Sequence, residues 1–310
     1  MVRLYILTVN TNTKELNQNL NIEGSPKDYF ILMKPRVMSL VVFTAFVGYY
    51  AALSEDSYNL NPFLAAIGIL AIAIGAGASG VLNQWYDRDI DKIMKRTKDR
   101  PIPAGKIDPA EALAFGMITA AMSVIILGLS VNWLSAFLLA FTIIFYAVFY
   151  TVFLKRYTIQ NIVIGGAAGA FPPVIGFTLV TGSLSLEPII LFGIIFLWTP
   201  PHFWALALTK QDDYRLANIP MLPVVSGEKI TKKYILYYIL ALIPFSLLPF
   251  ILGYSGYIYF ITSIILGIEL LRRTFYLLKS KHNAEQKLFF YSIFYLFFLF
   301  LGICIDKFLL

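Results

Sequence analysis

The sequence predicts an all-α integral membrane protein with nine transmembrane helices. Hydrophobic residues make up 58% of the 310 residues and charged residues only 14%, which is too apolar for an ordinary soluble domain. Apolar runs that approach the roughly 20 residues needed to cross a bilayer recur along the chain. The predicted spans are residues 37–53, 63–85, 110–130, 133–153, 161–181, 188–209, 233–252, 257–278 and 288–305.

The distribution of basic residues supports this count and predicts the topology. Of the 25 Lys and Arg residues, 24 lie before the first span or in alternate connections, and only Lys307 lies at the opposite side. By the positive-inside rule, the N-terminus and the long loops are cytoplasmic, and the C-terminus is outside the cell membrane. We therefore predict a polar cytoplasmic tail, residues 1–28, and a membrane domain, residues 29–310. Topology also explains the net charge of +7, and no basic surface pattern indicates nucleic acid.

The two longest connections, residues 86–109 and 210–232, follow helices 2 and 6 and are therefore four spans apart. Both begin with a segment that carries acidic residues. This spacing predicts two pseudo-equivalent four-helix halves plus one further helix, arranged around a central cavity that opens to the cytoplasm.

Helices 3 and 5 carry local signals for where they begin and how they pack. Asp108 followed by Pro109 is a typical N-cap and first helical residue, so it predicts the start of helix 3. Asn161 is the predicted N-cap of helix 5. Within helix 5, Gly165 indicates close helix packing and Pro172 indicates a break.

Helix 6 contains the string Trp-Thr-Pro-Pro-His-Phe-Trp, residues 198–204, which includes one of only two histidines. Pro200 and Pro201 remove backbone hydrogen bonds, a defect that lipid tolerates mainly beside a cavity. His202 is therefore either a ligand of a bound molecule or a buried histidine whose partner lies on a neighbouring helix.

Asn83, Asp87 and Asp91 recur at every fourth residue across the end of helix 2. If the helix continues past the membrane edge, the three side chains share one face, whereas Asp89 points elsewhere. Their hard oxygen atoms are suited to a magnesium site. The same loop supplies cations, which are Arg88, Arg96 and Arg100. Carboxylates ringed by cations suit Mg²⁺ that bridges to a diphosphate, a leaving group whose charge must be neutralised.

The second loop supplies Lys210, Asp213 and Tyr214 as further catalytic candidates. It lacks a second D-x-x-x-D motif, because Leu216 and Ala217 stand four residues beyond its two adjacent aspartates. Lys210 is expected to contact the diphosphate directly, and Asp213 either shares a metal ion or forms an ion pair with Lys210. We therefore expect most of the metal coordination in the first loop.

Three strings in the chain resemble the UbiA superfamily of intramembrane prenyltransferases, whose members have nine transmembrane helices. They are DRDIDKIMKRTKDRPIPAGKI (87–107), YTVFLKRYTIQNIVIGGAAGAFPPVIGF (150–177) and WTPPHFWALALTKQDDYRLANIPMLPVVSGE (198–228). They are most similar to the branch that farnesylates haem, and the likeness runs from about Lys34 to the last helix.

The resemblance implies farnesyl diphosphate as donor, haem B as acceptor and Mg²⁺ as cofactor. A porphyrin vinyl group would attack the farnesyl cation, and water would complete a hydroxyethylfarnesyl substituent. It also implies that Lys155 and Arg156 bind diphosphate or a haem propionate, where the alternative is lipid headgroup contact. Arg36 is a similar candidate. For His202 it implies contact with the haem iron or a propionate.

Two other functions stay open at this point. One is a prenyltransferase of the same superfamily that acts on an aromatic quinone precursor or a glycerol phosphate, which leaves the Pro-Pro-His-Phe-Trp string unexplained. The other is an organic-anion transporter, although the acids lie in loops rather than at mid-membrane. Expected partners are the two substrates and the lipid bilayer, with a downstream haem-modifying enzyme as a further candidate. The sequence does not specify the oligomeric state.

Overall fold

The computed structural model describes residues 24–53 and 60–309, and every regular element within these ranges is helical. Most of the predicted tail, residues 1–23, lies outside the described residues. The first helix, α1 (Pro26–Leu32), has a capping box in which Ser25 and Asp28 bond reciprocally. The predicted domain boundary at residue 28 therefore falls inside this helix.

Long helices follow one another along the chain, and four short helices lie in the connections between them. The long ones are α2 (Pro35–Ala52), α3 (Pro62–Tyr86), α5 (Pro109–Ser130), α6 (Trp133–Ile144) with a π-helical continuation (Phe145–Leu154), α7 (Asn161–Ala170), α8 (Pro172–Thr181), α9 (Leu186–Leu208), α12 (Gly227–Phe245), α14 (Tyr257–Leu278) and α15 (Ala284–Leu309). The short ones are α4 (Arg88–Ile93), α10 (Gln211–Leu216), α11 (Leu222–Val225) and α13 (Leu248–Ile251).

Within the described ranges, eight segments are long and apolar enough to cross a membrane. The segment that falls outside this group is α14, the eighth predicted span, although it has 22 residues. Every 18-residue stretch of α14 contains Glu269, Arg272 and Arg273. The all-α membrane architecture is confirmed, and the count of nine stays a prediction.

The bundle has two main apolar cores, and α2 contributes side chains to both. One core lies among α3, α5, α6 and α8, and the other among α9, α12, α14 and α15. Helix α2 packs directly on α8, where a Cβ atom on Gly48 would lie 2.0 Å from the carbonyl oxygen of Pro173. A Cβ atom on Gly176 would lie 1.9 Å from the carbonyl oxygen of Ala45. These glycines let the two backbones touch, as is common between membrane helices.

The local predictions for the third and fifth predicted spans, which are α5 and the pair α7 and α8, have different outcomes. Asp108 is the N-cap of α5 and accepts a hydrogen bond from the backbone N–H of Ala110, 2.7 Å away. The break in helix 5 lies at Phe171, between α7 and α8. The N-cap prediction for Asn161 is wrong, because Gln160 occupies that position. The Asn161 amide instead donates to the carbonyl of Lys155, 3.2 Å away, and so holds the preceding turn.

The two long loops pack against each other at one end of the bundle. Ile90 and Met94 of the first loop share an apolar cluster with Tyr214, Ile219 and Met221 of the second. The residues that follow the second and sixth predicted spans, α3 and α9, are thereby brought together. The predicted convergence of the two loops is confirmed.

Candidate active site

The acid and amide side chains of the first loop lie on one face, as predicted. Helix α3 ends at Tyr86, but the backbone N–H of Asp87 still donates to Asn83, and that of Asp91 to Asp87, at 2.9 and 2.8 Å. Helical hydrogen bonding therefore continues across the junction with α4. Asn83, Asp87 and Asp91 are only 3%, 0% and 2% exposed. Buried carboxylates are costly unless they are paired.

Cations from two other parts of the chain supply that pairing. The Lys155 ammonium donates to Asp87 Oδ2, and Arg156 Nη2 lies 3.5 Å from Asp87 Oδ1. Arg100 Nη1 donates to Asp91 Oδ2, 2.6 Å away. Three of the predicted substrate-binding cations thus meet the predicted metal ligands.

Asp89 lies on the exposed side of α4 and is bound by the same arginine. Arg156 Nη1 and Nη2 donate to its two carboxylate oxygens at 2.8 and 2.7 Å. This hydrogen bonding lowers the pKa of Asp89. Asp89 therefore fixes the position of Arg156 beside the buried acids.

Lys34 is a site residue that sequence reasoning missed. Its backbone is left-handed, with a φ of 55°, and its ammonium donates to Asn83 Oδ1 at 2.7 Å. Burial, and then the Arg100 and Lys155 cations, lower the pKa of Lys34 to about 7. Arg36, which the sequence favoured, is exposed. No pattern in the sequence distinguishes the two, because the inward direction of Lys34 depends on its unusual backbone conformation.

The π-helical continuation of α6 orients Asn83. The Thr151 hydroxyl donates to the carbonyl of Tyr146, 2.7 Å away, so its oxygen must accept from Asn83 Nδ2 at 3.0 Å. The same amide nitrogen donates to Asp87 Oδ2 at 2.8 Å. Thr151 is fully buried and was not predicted. The five-residue spacing from Tyr146 is the π-helical hydrogen-bond spacing, which often marks functional sites.

The second loop brings Asp213 and Tyr214 inward, since each is only 9% exposed, and the Arg96 guanidinium lies near the Tyr214 hydroxyl. Lys210 is exposed, and no carboxylate of the described residues lies within 4.0 Å of its ammonium. The ion pair with Asp213 considered from the sequence is therefore not formed. The Asp213 side chain is only 9% exposed and has no hydrogen-bond or ion-pair partner among residues 24–53 and 60–309. It is free to accept a cation.

Arg88, another predicted cation of the first loop, makes its contacts with Trp85 and not with the acids. Its Nη1 atom donates to the carbonyl of Trp85, 2.7 Å away. The guanidinium also lies over the Trp85 ring, 5.3 Å from the ring centroid. Arg88 makes no hydrogen bond or ion pair with Asp87 or Asp91.

His202 lies in an aromatic pocket between α9 and α15. Its ring stacks between Trp198 and Phe289, with centroid distances of 4.3 and 4.7 Å. The Ser292 hydroxyl donates its proton to the Phe289 carbonyl, so His202 Nδ1 must be the donor in the 2.7 Å contact with Ser292 Oγ. His202 Nε2 then keeps its lone pair. A neighbouring helix holds the ring, while the second nitrogen remains suitable as a metal ligand.

The donor set fits Mg²⁺ when a diphosphate is also present. The described part of the chain contains no group of three or more Asp, Glu, His or Cys residues that could hold a metal ion alone. The buried face formed by Asn83, Asp87 and Asp91 offers two carboxylates and one amide oxygen. Proteins commonly bind Mg²⁺ through one or two carboxylates, with substrate phosphates and water completing the shell.

This fold and site define a membrane prenyltransferase: residues 41–301 match the UbiA prenyltransferase family, and the chain belongs to it. The chain is 55% identical to protoheme IX farnesyltransferase 2 of Mesorhizobium japonicum, over 92% of this chain and 91% of that relative. It is 52% identical to protoheme IX farnesyltransferase of Rickettsia felis, over 90% and 91% of the two chains. The resemblance inferred from the three strings is thereby confirmed.

Solved structures support the fold. Digeranylgeranylglyceryl phosphate synthase matches with a TM-score of 0.75 and 19% identity, over 92% of this chain and 99% of that one. A UbiA homologue from Archaeoglobus fulgidus bound to DMAPP and Mg²⁺ matches with a TM-score of 0.62 and 17% identity, over 89% and 99%. At these identities the likeness establishes the fold alone.

Proposed function

We propose that this chain transfers the farnesyl group of farnesyl diphosphate to a vinyl group of haem B. The observation that carries the donor side is the buried acid and amide face ringed by Lys34, Arg100, Lys155 and Arg156. The acceptor is supported by the names of relatives that are more than 50% identical over nine-tenths of the chain.

The cations bind the diphosphate and stabilise the charge that it gains as it leaves. Lys155 and Arg100 exchange their carboxylate partners for phosphate oxygens, and Lys34 adds a third donor. Asn83, Asp87 and Asp91 hold Mg²⁺, with Asp213 as a further oxygen ligand. When bound, Mg²⁺ neutralises the diphosphate and makes it a better leaving group.

The acceptor lies in the aromatic pocket of α9. His202 Nε2 binds the haem iron, and Ser292 keeps the imidazole in the required tautomer. Lys210 and Arg96, which are exposed, and the neighbouring Tyr214 bind the charged ends of the substrates as these reach the site.

The reaction balances without a redox partner. The bond between C1 of farnesyl and the diphosphate oxygen breaks, and the electron pair leaves with the diphosphate. The terminal vinyl carbon attacks C1, and water adds to the resulting porphyrin-side cation and releases a proton to solvent. We further propose that the enzyme lies in the cell membrane with its N-terminus and both loops cytoplasmic and its C-terminus outside.

A competition between acceptors tests this function. Membranes that contain the chain receive farnesyl diphosphate, Mg²⁺, haem B and an aromatic quinone precursor, and the extracted products are separated by chromatography. We expect a more hydrophobic haem and an unchanged quinone precursor. Prenylation of the quinone precursor beside unchanged haem B would refute the acceptor, and movement of haem across vesicle membranes without any product would favour a transporter.

A further inference from the structure

A basic cleft lies where α14 ends and α15 begins. Its volume is about 330 Å³, which is at the lower end of small-molecule sites. Its lining residues are Arg272, Arg273, Tyr276, Lys281, His282, Ala284 and Lys287. Lys232 at the start of α12 pairs with Glu285 at the start of α15, 3.3 Å apart, so the cleft lies at the same end of the bundle as the two loops.

The cleft has more positive charge than its own acids can balance. Arg272 and Arg273 share one carboxylate, that of Glu269, at 2.7 and 2.6 Å. The nearby Glu285 is already bound by Lys232 and does not serve the cleft. The cleft lysines, Lys281 and Lys287, have no carboxylate within 4.0 Å among the described residues.

Aromatic contacts hold two of these cations in place before any ligand binds. The Lys281 ammonium lies 4.2 Å from the centroid of the Tyr276 ring, and the Arg272 guanidinium lies 5.0 Å from the same centroid. Tyr276 also accepts a hydrogen bond from Arg272 at 2.9 Å. Preorganised cations of this kind favour an anion with several oxygen atoms.

The cleft is separate from the proposed active site. Phe289, which stacks on His202, stands two residues after Lys287 on α15. Two residues correspond to about 200° of helical rotation, so Lys287 projects from the opposite side of the helix. On the membrane side of the cleft, α14 and α15 expose large apolar side chains, which are Ile268, Phe275, Phe290 and Phe294.

We propose that this cleft binds the phosphate of an anionic membrane phospholipid, a role beyond the proposed farnesyl transfer. The phosphate oxygens contact Lys281, Lys287 and Arg272, and the acyl chains lie along the exposed apolar residues of α14 and α15. Basic pockets between membrane helices are suited to anionic headgroups at this depth. A soluble phosphate would use the cations but not the apolar surface.

The test is a lipid titration of the full chain in detergent, followed by native mass spectrometry. Phosphatidylglycerol is titrated against a background of excess phosphatidylcholine. The variant Lys281→Gln/Lys287→Gln removes two exposed lysines that have no ion pair, so folding is not at risk. Since each lysine near a headgroup contributes on the order of 1 kcal/mol, we expect affinity for phosphatidylglycerol to fall about tenfold or more.

The control variant, Lys233→Gln/Lys279→Gln, removes the same charge from exposed positions outside the cleft and should bind as the wild type does. Equal binding by Lys281→Gln/Lys287→Gln and the wild type would overturn the proposal. Inorganic phosphate is the second arm. If it displaces the lipid as effectively as phosphatidylglycerol itself, the cleft is a soluble-phosphate site and the lipid assignment is wrong.

Discussion

The Asp87 carboxylate is completely buried, and its neighbouring cations and amide offset the cost of burying the charge. It accepts from Lys155 and Asn83, and Arg156 lies at 3.5 Å. A buried charge that is paired and hydrogen-bonded is tolerated, although such pairs seldom add net stability. The arrangement is therefore better explained by binding than by folding.

At the residue scale, Asp87→Asn and Asp91→Asn should each lower kcat/KM for farnesyl transfer by about 100-fold or more, because charge stabilisation in an active site contributes that much. The matched control is Asp89→Asn in the same loop, whose side chain is 60% exposed in its ion pair with Arg156. It should cost less than about tenfold. Initial rates measure the effect, and thermal unfolding in detergent checks that the variants fold. Near-normal rates in both buried variants would contradict the metal-site assignment.

Ser292 and His202 provide a second test at this scale. His202→Ala should weaken haem binding and leave farnesyl diphosphate binding unchanged, since only the nitrogen ligand is removed. Ser292→Ala should weaken haem binding less. It removes the hydrogen bond that fixes the tautomer of His202, but the imidazole ring itself is retained. The absorption spectrum of bound haem measures the first quantity, and titration with labelled farnesyl diphosphate the second. Equal loss of both ligands in His202→Ala would indicate a folding role instead.

At the element scale, the Tyr150 ring of the π-helical segment packs against Gly165 of α7. A Cβ atom on Gly165 would lie 2.2 Å from Cδ2 of Tyr150, whereas nothing lies within 4 Å of one on Gly169. Gly165→Ala should therefore destabilise the protein by about 1–3 kcal/mol, and Gly169→Ala on the same helix should be neutral. The midpoint of thermal unfolding measures both. Equal midpoints would show that Tyr150 moves aside without cost.

Features that are determined by residues close together in the chain could be predicted from the sequence. The Asp108 cap and the shared face of Asn83, Asp87 and Asp91 depend on residues only a few positions apart. The contacts of Lys34 and Thr151 with Asn83 could not be predicted, because they depend on a left-handed residue and on a π-helical segment that no local pattern marks. The wrong cap at Asn161 has the same origin, since its amide bonds to a neighbouring turn rather than to its own helix.

At the scale of the whole molecule, the two apolar cores and the converging loops follow from helix order, while the pairing of Lys155 with Asp87 depends on tertiary packing. The apolar runs of the sequence predicted each long helix of the described residues, α14 included. Whether α14 crosses the membrane stays open, because three charged residues in its second half reduce its apolar character.

The proposed topology can be measured with single cysteines in a Cys304→Ser background. Lys98 in the first loop and Ser183 between α8 and α9 are both exposed, and the charge distribution places them on opposite sides of the membrane. A membrane-impermeant maleimide should label Ser183→Cys in intact cells and Lys98→Cys only after lysis. Labelling of Lys98→Cys in intact cells would reverse the orientation.

The central claim is that the buried acids bind Mg²⁺ for farnesyl transfer to haem B. The mass of the haem formed by the wild type and by Asp87→Asn tests this claim most directly. Purified wild-type protein and Asp87→Asn receive haem B and farnesyl diphosphate, with Mg²⁺ or with a chelator. The account predicts a haem heavier by one farnesyl group and one hydroxyl group, formed by the wild type only with Mg²⁺ and not by Asp87→Asn. Equal yields of that product from both proteins, or from the wild type under chelation, would contradict it.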